Sequence, residues 1–477
     1  MKKKIIAVIT GAVILIIAAG SIYGKTESGH KRGEPDVVGT FSINRDENLT
    51  VVANRENIED REAFARELLQ MYKDDSFHST KFSTDRGYAT SIDMNIYLWK
   101  EDIEYGNSRA AIVGRENIFD FSIGNPNVPA PEAVRQAIYA EAAGDPVALH
   151  GYTSAQGAAD VRGALADSLN KRFGTDYTGD SLYLTAGAAA ALSCAFKAIV
   201  CEGDEIIVFA PYFPEYKMFI ESGAGAKCVI VPPSIADFQI DFGALEQRLN
   251  EHTKAVVVNS PNNPSGAVYS EQTIKRLADM LRGKEKEYGH PIYLISDEPY
   301  REIVYDGVQV PFVPHFYDDT IICYSYSKSL SLPGERIGYV LVPPAAADSK
   351  ALYAAVCGAG RALGYVCAPS MFQRVAARCA DQTSDIAVYQ TNRDLLFNGL
   401  TSMGYRCVKP DGAFYLFPQT LEADDRAFSE RAKKYDLLVV PGADFGAPGH
   451  MRISYCVKTE TIERALPLFE RLAKEYR

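Results

Sequence analysis

One lysine, Lys328, lies inside the hydroxyl-rich run of residues 325–329, and Arg336 follows it eight positions later. The apolar residues 321–324 predict a buried strand just upstream, so Lys328 is expected where a strand ends and a loop begins. A lysine there can form an imine with an aldehyde once burial or a nearby cation lowers its pKa. Ser325, Ser327 and Arg336 could bind a phosphate beside it. The alternative interpretation is an ordinary polar loop.

Two further stretches follow predicted strands and could contact an anion or a ring. Residues 185–189, with the sequence TAGAA, lie between a strand and a helix, and small residues let backbone N–H groups approach an anion there. A turn that serves only packing is the alternative. Phe213 comes just after the apolar strand 205–209 and could stack on a planar ring, although a core phenylalanine has the same pattern.

The amide and carboxylate candidates also follow predicted strands. Asn263 belongs to the turn of residues 259–266, which two proline steps and a glycine make rigid, so its amide could be aimed at a ligand oxygen. Asp297 follows an apolar strand, where a poorly solvated carboxylate needs a cationic partner such as a protonated ring nitrogen. Tyr300 could donate to a phenolic oxygen. The alternative for residues 259–266 is a turn without a ligand, and the alternative for Asp297 is a helix cap.

Arg452 lies within the strand-like apolar run of residues 451–455. A guanidinium there is costly unless it meets an anion, either a ligand or a structural ion-pair partner.

Together these candidates describe one ligand. It has a phosphate, an aromatic ring with a protonated nitrogen, a phenolic oxygen and an aldehyde that a lysine can hold. Pyridoxal 5'-phosphate has all four features, and the sequence therefore predicts this cofactor and no metal site.

From about residue 105 to residue 477 the sequence resembles fold type I, class I/II aminotransferases of the aspartate and aromatic kind. The resemblance is carried by the segments 119–126 (FDFSIGNP) and 150–153 (HGYT) and by the stretches described above. It implies that Lys328 holds the cofactor, that Asp297 binds its pyridine nitrogen, and that Asn263 and Tyr300 bind its ring oxygen.

The resemblance also implies the remaining contacts. The phosphate contacts would come from Ala188, Ala189, Ser325, Ser327 and Arg336, with Phe213 stacked on the ring. Arg452 would bind the substrate α-carboxylate with help from the backbone of Gly124. Tyr152 would reach the phosphate of a neighbouring subunit, which implies a homodimer. Arg361 could read a second substrate carboxylate in the partner's site, or it could be a solvated or ion-paired interface residue.

The elements that must position these residues alternate strand and helix from about residue 105 onward, which indicates an α/β fold with a mainly parallel sheet covered by helices. Ligands of such folds collect at the carboxyl ends of the strands. The resemblance implies a seven-stranded type of sheet and a small α+β domain. We expect a large domain over about 150–365 and a small domain over about 105–149 and 366–477.

The first hundred residues lie outside this resemblance. Three lysines precede the uncharged residues 5–23, which predict a transmembrane anchor in region 1–24, with a cleaved signal or a buried helix as alternatives. Residues 25–104 predict a linker and a small β-β-α-β module. Export would conflict with nine scattered cysteines, which are typical of a reduced compartment.

The composition, with 23% charged residues and a net charge of −11, argues against a nucleic-acid binder. The sequence predicts an aminotransferase that moves an amino group from an L-amino acid to a 2-oxo acid by a ping-pong mechanism. A β-lyase with the same cofactor is the nearest alternative. A membrane-anchored binding protein with a vestigial enzyme domain, and a chain made by gene fusion, are more distant ones.

Overall fold

The computed structural model describes residues 35–43, 46–53, 58, 60–74, 76–77, 91–97 and 118–476. The chain divides into two compact units, Met1–Ile118 and Phe119–Arg477. The predicted anchor at residues 5–23 and the predicted boundary near residue 105 lie outside the described residues. Within the described ranges, no helix is long and apolar enough to cross a membrane.

The first unit contains the strands and the helix that its sequence pattern predicts. Strand β1 (Asp36–Ile43) pairs antiparallel with β2 (Asp46–Val52), which pairs parallel with β3 (Ser91–Tyr97). The helix Arg61–Lys73 begins where the Asp60 side chain accepts a hydrogen bond from the Ala63 N–H. This helix buries Phe64, Leu68 and Tyr72 in a core that also contains Val37 and Val51.

The second unit is built on a seven-stranded sheet with the order β5-β11-β10-β9-β8-β6-β7. The strands are β5 (Leu182–Thr185), β6 (Glu205–Phe209), β7 (Lys227–Val231), β8 (Thr253–Asn259), β9 (Tyr293–Asp297), β10 (Thr320–Ser325) and β11 (Gly338–Leu341). Only β11 runs antiparallel to its two neighbours in this sheet. The sheet is therefore mixed and mainly parallel, which confirms the predicted α/β class.

Both faces of this sheet are covered by helices. Alternate residues of each strand point to opposite sides, so the apolar strand residues bury side chains on both faces. Ile206 and Val208 of β6 belong to a core with the helices Gly187–Ile199 and Ser349–Ala362, whereas Ile207 belongs to a core with Glu271–Tyr288. The other helices of the first part of this unit are Glu132–Ala142, Pro146–His150, Ala159–Phe173, Glu215–Lys217, Phe242–Glu246, Tyr326–Ser329 and Ser370–Arg378. A π-helix spans Met218–Ala224, and 3₁₀ turns span Gly179–Ser181 and Val313–His315.

A smaller group of strands and helices completes the unit. Strand β15 (Met451–Ser454) pairs antiparallel with β12 (Tyr415–Leu416) and β14 (Val440–Pro441), and β4 (Phe119–Asp120) pairs parallel with β13 (Leu437–Leu438). Three helices bury apolar residues in one core with these strands: Ile386–Ser402, Asp425–Ala432 and Thr459–Lys474. Two 3₁₀ turns span Lys433–Tyr435 and Gly442–Phe445.

This second group of strands positions the segment that follows β4. The Ser454 N–H of β15 donates to the Phe121 carbonyl at 2.9 Å, and the Phe121 N–H donates to the Leu438 carbonyl at 3.0 Å. Residues 122–124 are thereby fixed beside β15.

Candidate active site

Lys328 lies in the short helix Tyr326–Ser329, directly after β10. Ser325 caps this helix, because its hydroxyl accepts from the Ser327 N–H at 3.1 Å. The Lys328 Nζ donates to the Gly124 carbonyl at 2.6 Å, and no carboxylate of the described residues forms an ion pair with it. Burial lowers the pKa of Lys328 to about 8, and the nearby Arg336 cation acts in the same direction. The amine is therefore partly neutral, and so nucleophilic, near neutral pH.

Asp297 is the last residue of β9 and is 4% exposed. Its Oδ2 accepts from the Tyr216 hydroxyl at 2.5 Å and from Asn259 Nδ2 at 3.2 Å. Its Oδ1 is buried and has no hydrogen-bond partner among the described residues. Burial raises the pKa of Asp297 to about 7, which the Glu298 carboxylate favours and the Tyr216 hydrogen bond opposes. One carboxylate oxygen is thus left for a cationic N–H donor.

Arg452 on β15 is buried without a carboxylate partner in the part of the chain that the structure describes. Its Nη2 donates to the Ser122 carbonyl at 2.6 Å, and its Nη1 donates to Asn263 Oδ1 at 3.1 Å. Its guanidinium carbon lies 4.9 Å from the centre of the Tyr415 ring and 4.8 Å from that of the Phe445 ring. Because two carbonyl oxygens do not neutralise a cation, the site favours an anionic ligand.

A chain of hydrogen bonds joins Arg452 to Asp297. Asn263, which accepts from Arg452, donates its backbone N–H to Asn259 Oδ1 at 2.7 Å. The Asn259 Nδ2 in turn donates to the Asp297 carbonyl at 2.9 Å. The turn that the sequence predicts to be rigid therefore couples two of the predicted site residues.

Tyr300 is buried, and its hydroxyl oxygen lies 2.7 Å from that of Tyr415. Gly124 is fixed beside the same tyrosine, because a Cβ at residue 124 would lie 2.1 Å from the Tyr415 hydroxyl oxygen. Gly124 is therefore needed for its lack of a side chain, in addition to the carbonyl that accepts from Lys328.

No described residue caps the start of the helix Gly187–Ile199 with its side chain, so the first backbone N–H groups, including those of the half-buried Ala188 and Ala189, could contact an anion. Arg336 lies against this helix start, because a Cβ at Gly187 would be 2.6 Å from Arg336 Nη2. The Arg336 Nη1 also donates to the Ser327 hydroxyl at 3.5 Å and to the Pro333 carbonyl at 2.9 Å. The arrangement of these residues could hold a phosphate, and we refer to them as the phosphate cradle.

Phe213 is half-buried and packs edge-on against Tyr216, with ring centres 5.6 Å apart and planes at 84°. It therefore lies next to the tyrosine that donates to Asp297.

Two predicted residues do not lie in the buried site of their own chain. Tyr152 is 91% exposed, and Arg361 is exposed in the last turn of the helix Ser349–Ala362.

Four residues of the site were not predicted from the sequence: Tyr216, Asn259, Tyr415 and Ser122. Tyr216 follows Phe213 by three positions, and Asn259 opens the rigid turn, so both lie in stretches that the sequence marks. Ser122 lies in the segment 119–126 that carries the resemblance, but its partner Arg452 is 330 positions away, so the sequence does not show this contact. Tyr415 carries no local signal, and its partner Tyr300 is 115 positions away.

These features fit pyridoxal 5'-phosphate. The unpartnered Asp297 Oδ1 suits the ring nitrogen, the uncapped helix start and Arg336 suit the phosphate, and the Lys328 amine suits the aldehyde. The fold and the site thus define a pyridoxal-phosphate enzyme of the α/β type.

Comparison with known proteins is consistent with this class. The profile of the family "Aminotransferase class I and II" matches residues 116–468. The aspartate/prephenate aminotransferase of Thermus thermophilus is 30% identical over 372 residues, which are 77% of this chain and 94% of that protein. The probable N-acetyl-LL-diaminopimelate aminotransferase of Bacillus subtilis is also 30% identical, over 75% of this chain and 90% of its own. A crystal structure of an aminotransferase from Eubacterium rectale is 59% identical with a TM-score of 0.76, and the match covers 79% of this chain and 95% of that one.

The chain belongs to the class I and II aminotransferase family. It is a pyridoxal-phosphate-dependent transaminase whose substrates are amino acids and 2-oxo acids. The predicted family, enzyme class and cofactor are confirmed.

Proposed function

We propose that Lys328 holds the cofactor and moves the substrate α-proton, while Asp297 and Arg452 fix the cofactor ring and the substrate carboxylate. The observation that carries this assignment is the buried Asp297 Oδ1, which has no hydrogen-bond partner among the described residues. The Lys328 amine, whose pKa burial lowers to about 8, supports it. When bound, the cofactor ring accepts the electron pair that the substrate α-carbon releases.

The Lys328 amine is suited to proton transfer, because a general base works best when its pKa lies near the working pH. Its hydrogen bond to the Gly124 carbonyl holds the nitrogen on the side of the site where Arg452 contacts Ser122. A substrate carboxylate on Arg452 would therefore present its α-carbon toward the lysine. Orientation of this kind contributes to rate because reacting groups no longer have to find each other.

Asn263 and Tyr300 are proposed to donate to the ring oxygen of the cofactor. The Asn263 side chain accepts from Arg452 through Oδ1, and its NH₂ group, which donates to no described residue, could donate to a ligand. Tyr300 shares a hydrogen bond with Tyr415, whose ring packs on Arg452, so the groups for the cofactor and the substrate support one another.

We also propose that the enzyme is a homodimer that prefers dicarboxylic amino acids. Tyr152 and Arg361 are both exposed in the single chain, and Leu363, Tyr365 and Val366, which follow Arg361, are exposed apolar residues. An interface between two copies would cover them and bring Arg361 to the partner's site. Relatives whose names include aspartate support this preference, while others are named for N-acetyl-LL-diaminopimelate or aromatic amino acids.

The test of the reaction is a pair of half-reactions followed by visible absorbance. An L-amino acid should convert the cofactor to its amine form, and a 2-oxo acid should restore the original spectrum. Release of ammonia with no such dependence on a 2-oxo acid would indicate a β-lyase instead.

The test of the substrate preference uses Arg361→Ala, with Lys350→Ala as a matched control because Lys350 is an exposed cation on the same helix. Loss of a charge-assisted contact costs on the order of 2–4 kcal/mol, or roughly 30- to 1,000-fold in kcat/KM for dicarboxylates. Turnover of alanine should hardly change. An equal loss for every amino acid would assign Arg361 to the interface alone.

A mixed dimer separates the two chains. When Lys328→Ala and Arg361→Ala chains are refolded together, one site of each mixed dimer combines an intact Lys328 with the partner's intact Arg361. Dicarboxylate turnover should therefore reappear in the mixture. No recovery would mean that Arg361 does not act across a dimer.

A further inference from the structure

A buried arginine lies directly behind the candidate site. Arg301 follows Asp297 by four positions, and its side chain is only 4% exposed. Its guanidinium carbon lies 4.4 Å from the centre of the Tyr324 ring, and its Nη2 donates to the Tyr339 hydroxyl at 2.8 Å. Tyr324 belongs to β10 and Tyr339 to β11, so one cation contacts two neighbouring strands from the loop that follows a third.

Two glutamates neutralise this cation. Arg301 Nη1 lies 3.1 Å from Glu298 Oε2, and Arg301 Nε lies 3.4 Å from Glu302 Oε1. Glu302 also pairs with Arg172 at 2.6 Å and is 7% exposed. Glu298 is adjacent to Asp297 and accepts from the Ser296 hydroxyl at 2.7 Å. A buried charge cluster of this kind is stable only while its geometry is kept, because removing one partner leaves another charge uncompensated.

Hydroxyl groups continue the cluster to the residue beside Lys328. The Tyr324 hydroxyl donates to Glu302 Oε2 at 2.9 Å and lies 2.9 Å from the Ser329 hydroxyl. A tyrosine hydroxyl has only one hydrogen, and the carboxylate receives it. The Ser329 hydroxyl must therefore donate to Tyr324, so the direction of both hydrogen bonds is fixed by the charge of Glu302.

The helix that carries Lys328 needs such an anchor. It spans only four residues, Tyr326–Ser329, and a single helical turn has too few internal hydrogen bonds to be stable by itself. Burial of Ser329 at 2% exposure places its hydroxyl out of reach of bulk water. The hydrogen bond to Tyr324 is thus a side-chain restraint on the residue next to the reactive lysine.

We propose that Arg301, Glu302, Tyr324 and Ser329 form a chain of ion pairs and hydrogen bonds, here called the positioning relay. This relay holds the Lys328 amine in a fixed position relative to Asp297. Arg301 pairs with Glu298, which is adjacent to Asp297, and Ser329 is adjacent to Lys328, so the relay lies between the two site residues. None of its members is among the residues that we assign to the cofactor or the substrate, so they are positioning residues. Its contribution rests on the proposed role of Lys328, because it acts on the orientation of that amine.

The test is Tyr324→Phe, which removes the hydroxyl and keeps the ring under Arg301. The matched control is Tyr326→Phe, because Tyr326 is also buried in the same stretch but its hydroxyl makes no hydrogen bond to any residue that the structure describes. Misplacement of a catalytic group by about 1 Å can cost about 100-fold in rate. Tyr324→Phe should therefore lower kcat about 10- to 100-fold at nearly constant KM, while the control should stay within about twofold of wild type.

A second readout does not depend on turnover. The rate at which cofactor-free protein takes up pyridoxal phosphate into a borohydride-reducible form should fall in Tyr324→Phe and not in Tyr326→Phe. A role in stability alone would lower the melting temperature and leave both the uptake rate and kcat at wild-type values, which would overturn the proposal.

Ser329→Ala breaks the same link from its other end and carries the test if the tyrosine variant does not fold. Each single variant should lose the same factor in kcat, and the double variant should lose no more, since both remove one shared contact. Additive losses would refute the relay. Lys328→Ala, measured in parallel, separates the two assignments, because retention of reducible cofactor in that variant would refute the role of Lys328 itself.

Discussion

Asp297→Asn is expected to change stability in opposite directions with and without the cofactor. In the cofactor-free protein, the Asp297 carboxyl is buried with one oxygen unpartnered among the described residues, and burial raises its pKa from an ordinary 3.8 to about 7. Between these two values the folded protein binds a proton that the unfolded chain has lost. Stability must therefore fall as the pH rises through this window, and the loss is complete above about pH 7.

The magnitude follows from the same pKa. A change from 3.8 to about 7 corresponds to roughly 4 kcal/mol of differential stability at high pH. Asparagine has no charge to lose, so the cofactor-free variant should lack this pH dependence. Below about pH 4 the pH-dependent penalty is absent from both proteins, and above about pH 7 the variant should gain on wild type by up to about 4 kcal/mol.

With the cofactor bound, the wild-type protein should be more stable than the Asp297→Asn variant, because a protonated ring nitrogen would then neutralise the Asp297 carboxylate. The assay is denaturant unfolding of both proteins over this pH range, before and after removal of the cofactor, with Asp318→Asn as a control for an exposed aspartate. A wild-type and variant difference that does not vary with pH in the cofactor-free state would refute the assignment of the raised pKa to Asp297.

Three further predictions concern the phosphate cradle, the carboxylate site and the lysine. Gly187→Ala should weaken cofactor binding as measured by equilibrium dialysis, because its Cβ would lie too close to the Arg336 side chain. Gly203→Ala is the control and should show no such loss, because Gly203 has a similar positive φ of 94° but no heavy atom of the described residues lies within 4 Å of its Cβ position. Arg452→Lys keeps the charge but loses the planar guanidinium, so kcat/KM for amino acids should fall by about 30-fold, or about 2 kcal/mol. The visible absorbance of the cofactor should stay normal, and its loss would instead assign Arg452 to cofactor binding. The rate of pyridoxal phosphate uptake by cofactor-free protein should rise with pH up to about 8 and then level off, because only the neutral Lys328 amine reacts. An uptake rate that does not vary with pH would contradict the lowered pKa of Lys328.

The sequence alone determines where the reactive residues lie along the chain. Apolar strands and the turns after them are local patterns, and they locate Lys328 after β10, Asp297 at the end of β9 and Asn263 after β8. Since parallel strands place their carboxyl ends at one edge, the meeting of these residues also follows from the strand pattern.

Tertiary structure alone decides which groups are satisfied and which are left for a ligand. Arg452 contacts Ser122 and Asn263, which are 330 and 189 positions away, and Tyr216 meets Asp297 across 81 positions. Hydrogen-bond partners at such separations depend on how whole elements pack, and no local periodicity records them. The unpartnered oxygen of Asp297 and the relay from Arg301 to Ser329 are therefore visible only in the folded chain, because burial and partner geometry are properties of the assembled core.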